Sequence, residues 1–277
     1  MIWVGGRIVP EAALTISVRD RTFEHGLGLF ETLRTWQLRA PLLDRHLARL
    51  ERSARALGLP LDPSALPNDG AVAALLDANG AEDDVLLRIT LSGGFDEVEG
   101  STLWMRAGPL PPPMRHEGAV VDLGSWGVVR YDPIARHKTL NYWTRRQAYE
   151  RARSLGYDEV LCMTGDDYIW GGSRTNVFLV AGDRLVTPSL DGPIVPGIMR
   201  GLVIEQAPRL AMGVRNKDDM TRNWLEAADE VFLTNSVRGI IPVARVGESS
   251  WPAPGPWTKR LAIGVDDWLN GRGGTTA

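Results

Sequence analysis

The sequence has few of the residues on which disulfides, metal sites and nucleic-acid contacts depend. Its 277 residues include one cysteine, Cys162, which cannot form a disulfide within the chain, and four scattered histidines. Neither C-x-x-C nor H-E-x-x-H occurs, so we expect no metal ion. The formal net charge of −3 leaves no basic excess that could neutralise phosphates, and nucleic acid is therefore not an expected partner.

Long apolar segments and two frequent catalytic motifs are also lacking. No stretch reaches about 18 uncharged apolar residues, so no membrane span is expected. The first ten residues, M-I-W-V-G-G-R-I-V-P, contain no basic region followed by a long apolar segment, and with a single cysteine this predicts a cytoplasmic protein. Neither the nucleophile elbow G-x-S-x-G nor the phosphate loop G-x-x-x-x-G-K-[ST] occurs, so neither chemistry is indicated.

The remaining composition is typical of a globular protein with more than one domain. Hydrophobic residues make up 44% of the chain and charged residues 23%, which suffices for a large core. A chain of 277 residues exceeds the usual size of one domain. The segment Gly108–Gly118 contains four prolines in eleven residues, which indicates a linker. We predict a small N-terminal α/β domain over residues 1–108, a linker over 109–118 and a larger C-terminal domain over 119–277.

Hydrophobic periodicity predicts strands and helices in both domains, and therefore an α/β (α+β) fold class. Gly5-Gly6 connects two short strands, and apolar residues at spacings of three and four predict a helix capped by Asp44 and ending at Gly58. Strands are predicted at Leu29–Trp36, Val85–Leu91, Val120–Val129, Glu159–Met163, Asn176–Val180, Arg184–Thr187 and Glu230–Thr234. Further helices are predicted at Ala71–Asn79, at Asn141–Leu155, from Ile198 and at Trp257–Leu269.

Three segments are candidates for chemistry, although each also has an ordinary structural interpretation. Lys138, in R-H-K-T-L-N-Y-W, is a solvent-facing side chain or, in a desolvated site that lowers its pKa, an amine that attacks an aldehyde. Arg49 lies about 120° from the leucine stripe of its helix, and it either reaches a phosphate or is solvated. The loop P-I-V-P-G-I-M-R-G either joins an ordinary helix or presents the amides of Ile198 and Met199 to a phosphate.

A fourth segment, D-Y-I-W-G-G-S-R-T-N-V-F-L-V, is a strand-like run that stops for five small or polar residues and then resumes. The adjacent Gly171 and Gly172 allow positive φ and the close approach of another group. The interruption is therefore either a surface hairpin or a place where the chain meets a ligand.

A lysine, a phosphate cradle and an arginine together describe a pocket for pyridoxal 5′-phosphate. The order of the motifs that contain them resembles the class IV aminotransferases, which include branched-chain aminotransferase, D-amino acid aminotransferase and aminodeoxychorismate lyase. The motifs, from Asp20 to Val243, are R-D-R-x-x-x-x-G-L-G-L-F-E-T-L-R, R-H-L-A-R-L-x-R-S-A, K-T-L-N-Y, G-S-R-T-N-V-F-L-V, V-P-G-I-M-R and L-T-N-S-V-x-G-I-I-P-V. Their joint order is far more specific than any one motif.

The resemblance implies a two-domain fold type IV pyridoxal phosphate enzyme, D-amino acid aminotransferase-like. It further implies a homodimer with the cofactor between the domains and the cofactor lysine in the C-terminal domain. In these motifs Lys138 holds the cofactor as a Schiff base and moves the α-proton, and Arg49 binds the cofactor phosphate. The other cofactor-binding residues that the resemblance implies are Gly171, Ser173, Asn176, Gly197, Ile198, Met199 and Ser236. Phe30 and Val237 are implied to bind the substrate, an amino acid or another amino-substituted small molecule.

Two details favour the lyase version, which eliminates pyruvate from aminodeoxychorismate to leave p-aminobenzoate. G-I-M-R has methionine where the aminotransferases typically have threonine, and T-N-S-V-x-G-I-I-P-V resembles the asparagine-containing turn of the lyase. The alternatives are an aminotransferase acting on D-amino acids, branched-chain amino acids or amines, and a cofactor-binding protein with little or no catalysis.

One feature of the family is missing from the interrupted strand. The strand ordinarily ends in a glutamate five residues ahead of the asparagine, and that position is Gly171. Because this carboxylate keeps the pyridine nitrogen protonated, we expect a weak or unusual enzyme whose Gly171→Glu variant gains activity. Three alternatives could occupy the position beside the pyridine nitrogen: a carboxylate from elsewhere, such as Glu31 or Asp167, a water molecule, or nothing. Because W-G-G-S-R-T contains no acidic residue and its glycine pair leaves space, we favour the water or the empty position.

Overall fold

The computed structural model describes residues 1–96, 100–112, 117–217 and 219–272. The chain divides into two compact units, and each combines two stretches of sequence. Unit 1 consists of Met1–Pro111 and His137–Asn141, and unit 2 consists of Pro112–Arg136 and Tyr142–Ala277.

Unit 1 is an antiparallel sheet with two helices packed on it. Its elements are β1 (Ile2–Val4), β2 (Arg7–Val9), α1 (Arg21–His25), β3 (Gly28–Arg34), α2 (Leu43–Ala56), α3 (Asp69–Ala78), β4 (Val85–Ser92) and β5 (Leu103–Pro109). The strand order is β2-β1-β5-β4-β3, which leaves β3 at one edge. Apolar side chains of α2 and α3 pack with those of the strands in one core.

Helix α2 shows how the periodicity of the sequence produces this packing. Leu43, Leu47, Leu50 and Ala54 are buried in the core at spacings of four, three and four. The N-cap residue is Leu42, so the prediction of Asp44 as the cap is wrong. Asp44 lies instead in the first turn, where its negative charge interacts favourably with the helix dipole.

Unit 2 contains a larger, mixed sheet. Its elements are β6 (Ala119–Val128), α4 (Trp143–Ser154), β7 (Glu159–Thr164), β8 (Ile169–Gly172), β9 (Asn176–Ala181), β10 (Arg184–Pro188), α5 (Ile198–Gln206), β11 (Gly213–Lys217), α6 (Arg222–Glu226), β12 (Glu230–Asn235), β13 (Gly239–Val246), β14 (Ser249–Ser250) and α7 (Pro256–Leu269). The strand order is β11-β10-β9-β12-β13-β6-β7-β8, and β14 pairs with β13. None of the helices in the described ranges has the length and apolar character needed to cross a membrane.

The two faces of β9 and β12 bury different sets of side chains. Val177 and Leu233 belong to a core with β6, β7 and α6. On the opposite face Phe178 and Phe232 stack with ring centroids 4.9 Å apart, and α5 and α7 pack against β12. Successive strand residues point to opposite faces, and Glu230, two residues before Phe232, accepts from the amides of Trp257 and Thr258 in α7, so α7 lies on the phenylalanine side.

Several elements have no clear signal in the sequence. Strand β13 contains Pro242, which argues against a strand inside a sheet, yet it pairs with β12. Strand β11 is a mostly polar edge strand. Strand β5 includes Pro109, the first residue of the predicted linker, while residues 113–116 of that linker lie outside the described residues.

The segment around Lys138 belongs to unit 1, although the sequence places it in the larger domain. The amide of Phe30 donates to the carbonyl of Lys138 at 2.9 Å, and the amide of Leu140 donates to the carbonyl of Gly28 at 2.9 Å. Thr139 forms an antiparallel bridge with Leu29. These backbone bonds extend the sheet at the free edge of β3, and they hold the segment in unit 1.

Candidate active site

The side chain of Lys138 lies beside an aromatic ring in unit 1. Its Nζ is 4.1 Å from the centroid of the Phe30 ring, and the Cζ of Arg88 is 4.0 Å from the same centroid. Phe30 is buried, and Lys138 is partly buried. The negative face of the ring attracts both cations. Phe30 is therefore next to the amine that the motif predicts to be reactive.

A buried ionic cluster in the same unit connects β3 to α2. The Nε of Arg49 donates to Oε1 of Glu31 at 2.8 Å, and its Nη2 donates to Oε2 at 2.5 Å. The Nδ1 of His46 lies 2.6 Å from Oε2 of Glu31. Because a carboxylate only accepts hydrogen bonds, we assign the proton to Nδ1. Arg49 is only 5% exposed, so its interpretation as a solvated side chain is wrong.

The charges of this cluster shift the pKa values of its members. Burial raises the pKa of Glu31, but Arg49 and then His46 lower it more, and the pKa falls to about 2. Burial lowers the pKa of His46 against the opposing effect of Glu31, and Arg49 and Lys138 lower it further. Glu31 is therefore ionised at neutral pH and already bound to two partners.

In unit 2 the interrupted strand forms a tight connection between β8 and β9, and its first residues are buried. The amide of Gly172 donates to the carbonyl of Thr175 at 2.8 Å, and the connection contacts the carboxylate of Glu159. Oε1 of Glu159 accepts from the hydroxyl of Ser173 at 2.5 Å and from its amide at 3.2 Å. Oε2 accepts from the amide of Arg174 at 3.3 Å. The glycines are thus part of a hairpin connection in which Gly171, Gly172 and Ser173 are buried, while Arg174 is exposed.

The backbone at Gly171 explains the glycine without reference to a ligand. Its φ is +150°, and a Cβ added there would lie 2.9 Å from the carbonyl oxygen of Thr175. A Cβ on Gly172 would overlap Oγ1 of Thr175. Residues with a side chain rarely adopt such a φ, and the carbonyl leaves no room for one. Glutamate at position 171 is therefore incompatible with this turn unless the backbone moves.

Ser173 and Asn176, which follow Gly171, both form hydrogen bonds with other residues of unit 2. The carbonyl of Ser173 accepts a hydrogen bond from the Tyr142 hydroxyl at 2.9 Å, and Ser173 is fully buried. Nδ2 of Asn176 donates to the carbonyl of Val195 at 3.1 Å. A Cβ on Gly197 would overlap Oδ1 of Asn176. Asn176 therefore fixes the loop before α5, and a side chain at position 197 would have to displace the Asn176 amide.

Helix α5 begins directly after Gly197, and its first amides belong to Ile198 and Met199. The first amides of a helix have no partner within it and carry partial positive charge. Arg200 holds this turn in place, because its Nη2 donates to the carbonyl of Pro188 at 2.9 Å and to Oδ1 of Asn216 at 2.8 Å. The start of α5 thus has the geometry of an anion site.

The turn after β12 contains the last predicted residues, Ser236 and Val237. Oδ1 of Asn235 accepts from the amide of Val237 at 3.0 Å and from the amide of Arg238 at 2.8 Å. The asparagine therefore builds the turn, and the Val237 amide has a partner inside it. Ser236 is partly buried.

The predicted site residues fall into two groups. Unit 1 brings together Phe30, Arg49 and Lys138, and unit 2 contains Gly171, Ser173, Asn176, Gly197, Ile198, Met199, Ser236 and Val237. Sequence reasoning missed the partners of these residues, namely His46, Arg88 and Glu159. The only signal for His46 is its position three residues before Arg49 on the same helix, which places both on one face.

The family model described as Amino-transferase class IV matches residues 28–246. The chain belongs to the class IV aminotransferase family. The aminodeoxychorismate lyase of Bacillus subtilis (strain 168) is 30% identical to it over 268 residues, which cover 91% of this chain and 88% of that protein.

Two solved structures extend the comparison to the fold. The branched-chain aminotransferase of Thermoproteus uzoniensis, solved with norvaline, is 27% identical with a TM-score of 0.87, and the match covers 98% of this chain and 95% of that chain. The T.th. branched-chain amino acid aminotransferase, in complex with N-(5'-phosphopyridoxyl)-L-glutamate, is 25% identical with a TM-score of 0.85, over 98% and 94% of the two chains. The predicted family, the type IV fold and the cofactor pyridoxal 5′-phosphate are confirmed for this member of the family.

Observations in each unit of the protein fit the cofactor. Lys138 offers an amine beside an aromatic ring, and α5 offers the amides of its first turn after a glycine whose side-chain position is filled by Asn176. On β12, the hydroxyl of Thr234 is buried and has no hydrogen-bond partner among the described residues. An amine and an anion site are the two groups that an aldehyde with a phosphate requires.

Proposed function

We propose that this class IV aminotransferase family member is an aminodeoxychorismate lyase-like enzyme that releases pyruvate and leaves p-aminobenzoate. The observation that supports the lyase over the aminotransferase is the turn after β12, in which Oδ1 of Asn235 accepts hydrogen bonds from the amides of Val237 and Arg238. That asparagine is the feature in which the sequence resembles the lyase turn. The Bacillus subtilis relative that bears this name supports the same choice.

The chain's own residues would divide the work between binding and proton transfer. Pyridoxal phosphate, when bound, withdraws electrons from the substrate and so makes its α-proton acidic. Lys138 would hold the cofactor through Nζ and move the α-proton, while Phe30 would limit the space beside that amine. The amides of Ile198 and Met199, with Arg49 and the hydroxyl of Ser236, would hold the phosphate.

The assignment of Lys138 is tested by trapping the cofactor on the protein. Borohydride reduction followed by peptide mapping should place the phosphopyridoxyl group on Lys138. The controls are Lys217 and Lys259, the other lysines of the chain. Lys217 already pairs with Asp219 at 2.9 Å and lies over the Trp224 ring. A label on Lys217 or Lys259 would refute the assignment.

The reaction itself is tested by comparing product release with amino transfer. We expect purified enzyme to release pyruvate from aminodeoxychorismate faster than it transfers the amino group of any D-amino acid, branched-chain amino acid or amine. The second candidate function is an aminotransferase, because the two solved relatives are branched-chain aminotransferases. Faster amino transfer would support that candidate. Bound cofactor with neither activity would support a binding protein with little or no catalysis.

We also propose that the enzyme is a homodimer, as the family resemblance implies. Apolar side chains of unit 1 are exposed around the segment that precedes and includes α1, with Val18 exposed by 83%, Phe23 by 65% and Phe95 by 50%. Arg21 holds this region together by donating to the carbonyl of Gly93. Exposed apolar clusters of this kind are typical of protein interfaces. Light scattering after size-exclusion chromatography should give twice the mass of the chain, and a monomer at assay concentration would refute the proposal.

A further inference from the structure

The start of α5 and one face of the β9–β12 pair lie together in unit 2. Thr234 on β12 is directly opposite Asn176 on β9. Directly opposite residues share a face of the sheet, with Cβ atoms about 5 Å apart. Phe178 and Phe232, two residues further along this register, stack on that face. Because the side chain of Asn176 contacts Gly197, Thr234 points to the side on which α5 begins.

The hydroxyl of Thr234 differs from that of a comparable buried threonine. Thr234 is 1% exposed, and its Oγ1 has no hydrogen-bond partner among the described residues. Thr187 is equally buried, but its hydroxyl donates to the carbonyl of Val177 at 2.8 Å. Buried hydroxyls are normally paired, so an exception beside a helix N-terminus calls for a ligand or a water.

We propose that the hydroxyl of Thr234 donates a hydrogen bond to the cofactor phosphate at the N-terminus of α5. This inference rests on the proposed binding of the phosphate by the amides of Ile198 and Met199. A hydroxyl carries one donor, and an ionised phosphate oxygen accepts it more strongly than a neutral group does. Thr234 lies within a strand, whereas Ser236 lies in the turn that follows. The strand residue supplies a donor whose position is fixed before the cofactor binds.

The test measures how much the phosphate group contributes to cofactor affinity in variants that keep or remove the hydroxyl of residue 234. Full-length protein freed of cofactor is titrated with pyridoxal phosphate and with pyridoxal, which lacks the phosphate, and the lysine-bound fraction is followed by absorbance. We expect Thr234→Val to weaken pyridoxal phosphate binding about tenfold and to leave pyridoxal binding unchanged. Thr234→Ser, which keeps the hydroxyl, should retain nearly wild-type affinity for both.

Thr258 provides a matched control. It is 1% exposed, lies in the first turn of α7 and also has a buried hydroxyl with no partner among the described residues. Thr258→Val and Thr234→Val should both raise the unfolding midpoint of the cofactor-free protein, because each removes an unsatisfied buried hydroxyl. Only Thr234→Val should also weaken phosphate-dependent binding. This opposite change in stability and affinity is not expected from a purely structural residue.

Two outcomes would contradict different parts of the proposal. A Thr234→Val protein with the wild-type ratio of the two affinities would overturn the role of Thr234, and a buried water would then account for its hydroxyl. Equal wild-type affinity for pyridoxal phosphate and pyridoxal would overturn the phosphate site at α5 itself. If the valine variant does not fold, Thr234→Ala compared with Thr234→Ser decides the same question.

Discussion

Glu31 in unit 1 and Glu159 in unit 2 are both buried carboxylates, but different kinds of partner balance their charges. Glu31 contacts Arg49, a cation, and the imidazole of His46. Glu159 accepts hydrogen bonds from neutral groups, including the hydroxyl and amide of Ser173. The first carboxylate neutralises a buried charge, whereas the second shapes a turn. The two carboxylates should therefore respond very differently to the loss of their charge.

The largest effect is expected when the charge of Glu31 is removed. Glu31→Gln leaves the buried guanidinium of Arg49 without its anion, and such a loss typically costs roughly 3–5 kcal/mol. Denaturant unfolding of the cofactor-free protein would measure the loss. Glu51→Gln is the control, because Glu51 pairs with Arg55 on the exposed surface of the same helix, where a pair contributes only about 0.3–0.5 kcal/mol. Equal effects of the two variants would contradict the ionic role of Glu31.

The acid sensitivity of unit 1 should follow from the same carboxylate. The folded pKa of Glu31 is about 2, below its ordinary value of 4.5, so its contribution is fully present above pH 4.5 and is lost as the pH falls toward 2. The difference corresponds to roughly 3 kcal/mol. Unfolding free energies of wild type and Glu31→Gln should converge over this window. Parallel curves would show that Glu31 titrates normally.

Glu31 also shows where sequence reasoning reaches its limit. The leucine spacing of α2 predicts the helix, but the environment of Arg49 depends on Glu31, 18 residues away on β3. The segment of Lys138 joins unit 1 through backbone bonds with Phe30 and Gly28, which no side-chain pattern encodes. The order of the motifs identifies the family, because a motif is defined by its residues and their spacing. It can be found even where the tertiary partners of those residues cannot be predicted from the sequence.

An intermediate effect is expected at Gly171, in the turn around Glu159. The sequence suggested that Gly171→Glu would raise activity, but a φ of +150° and the carbonyl of Thr175 oppose any side chain there. We therefore expect this variant to lose about 2 kcal/mol of stability without a gain in activity. Gly165→Ala is the control, because it has ordinary φ and no atom within 4 Å of an added Cβ. A stable, more active Gly171→Glu enzyme would show that the turn rearranges and that the missing carboxylate matters.

The turn also marks what the sequence predicts correctly and what it misses. The glycine pair predicts a backbone conformation that other residues rarely adopt, and Gly171 has such a conformation, with a φ of +150°. Glu159 gives no comparable signal, because its partners Ser173 and Arg174 converge on it only after β7 and β8 pair. A residue that acts through long-range strand pairing has no local motif.

The smallest effect is expected at Glu159 itself. Glu159→Gln keeps one acceptor oxygen, which can still accept a hydrogen bond from the hydroxyl of Ser173. The groups of Ser173 and Arg174 that donate to this carboxylate are a hydroxyl and backbone amides, all of them neutral. We expect a loss of about 1 kcal/mol in unfolding free energy, the contribution of one weakened hydrogen bond. Glu159→Ala is the comparison, because it removes every acceptor and leaves buried donors unsatisfied, and it should cost more than Glu159→Gln. If Glu159→Gln costs as much as Glu31→Gln, then the negative charge itself, rather than the hydrogen-bond geometry, holds the turn, and the two carboxylates belong to one class.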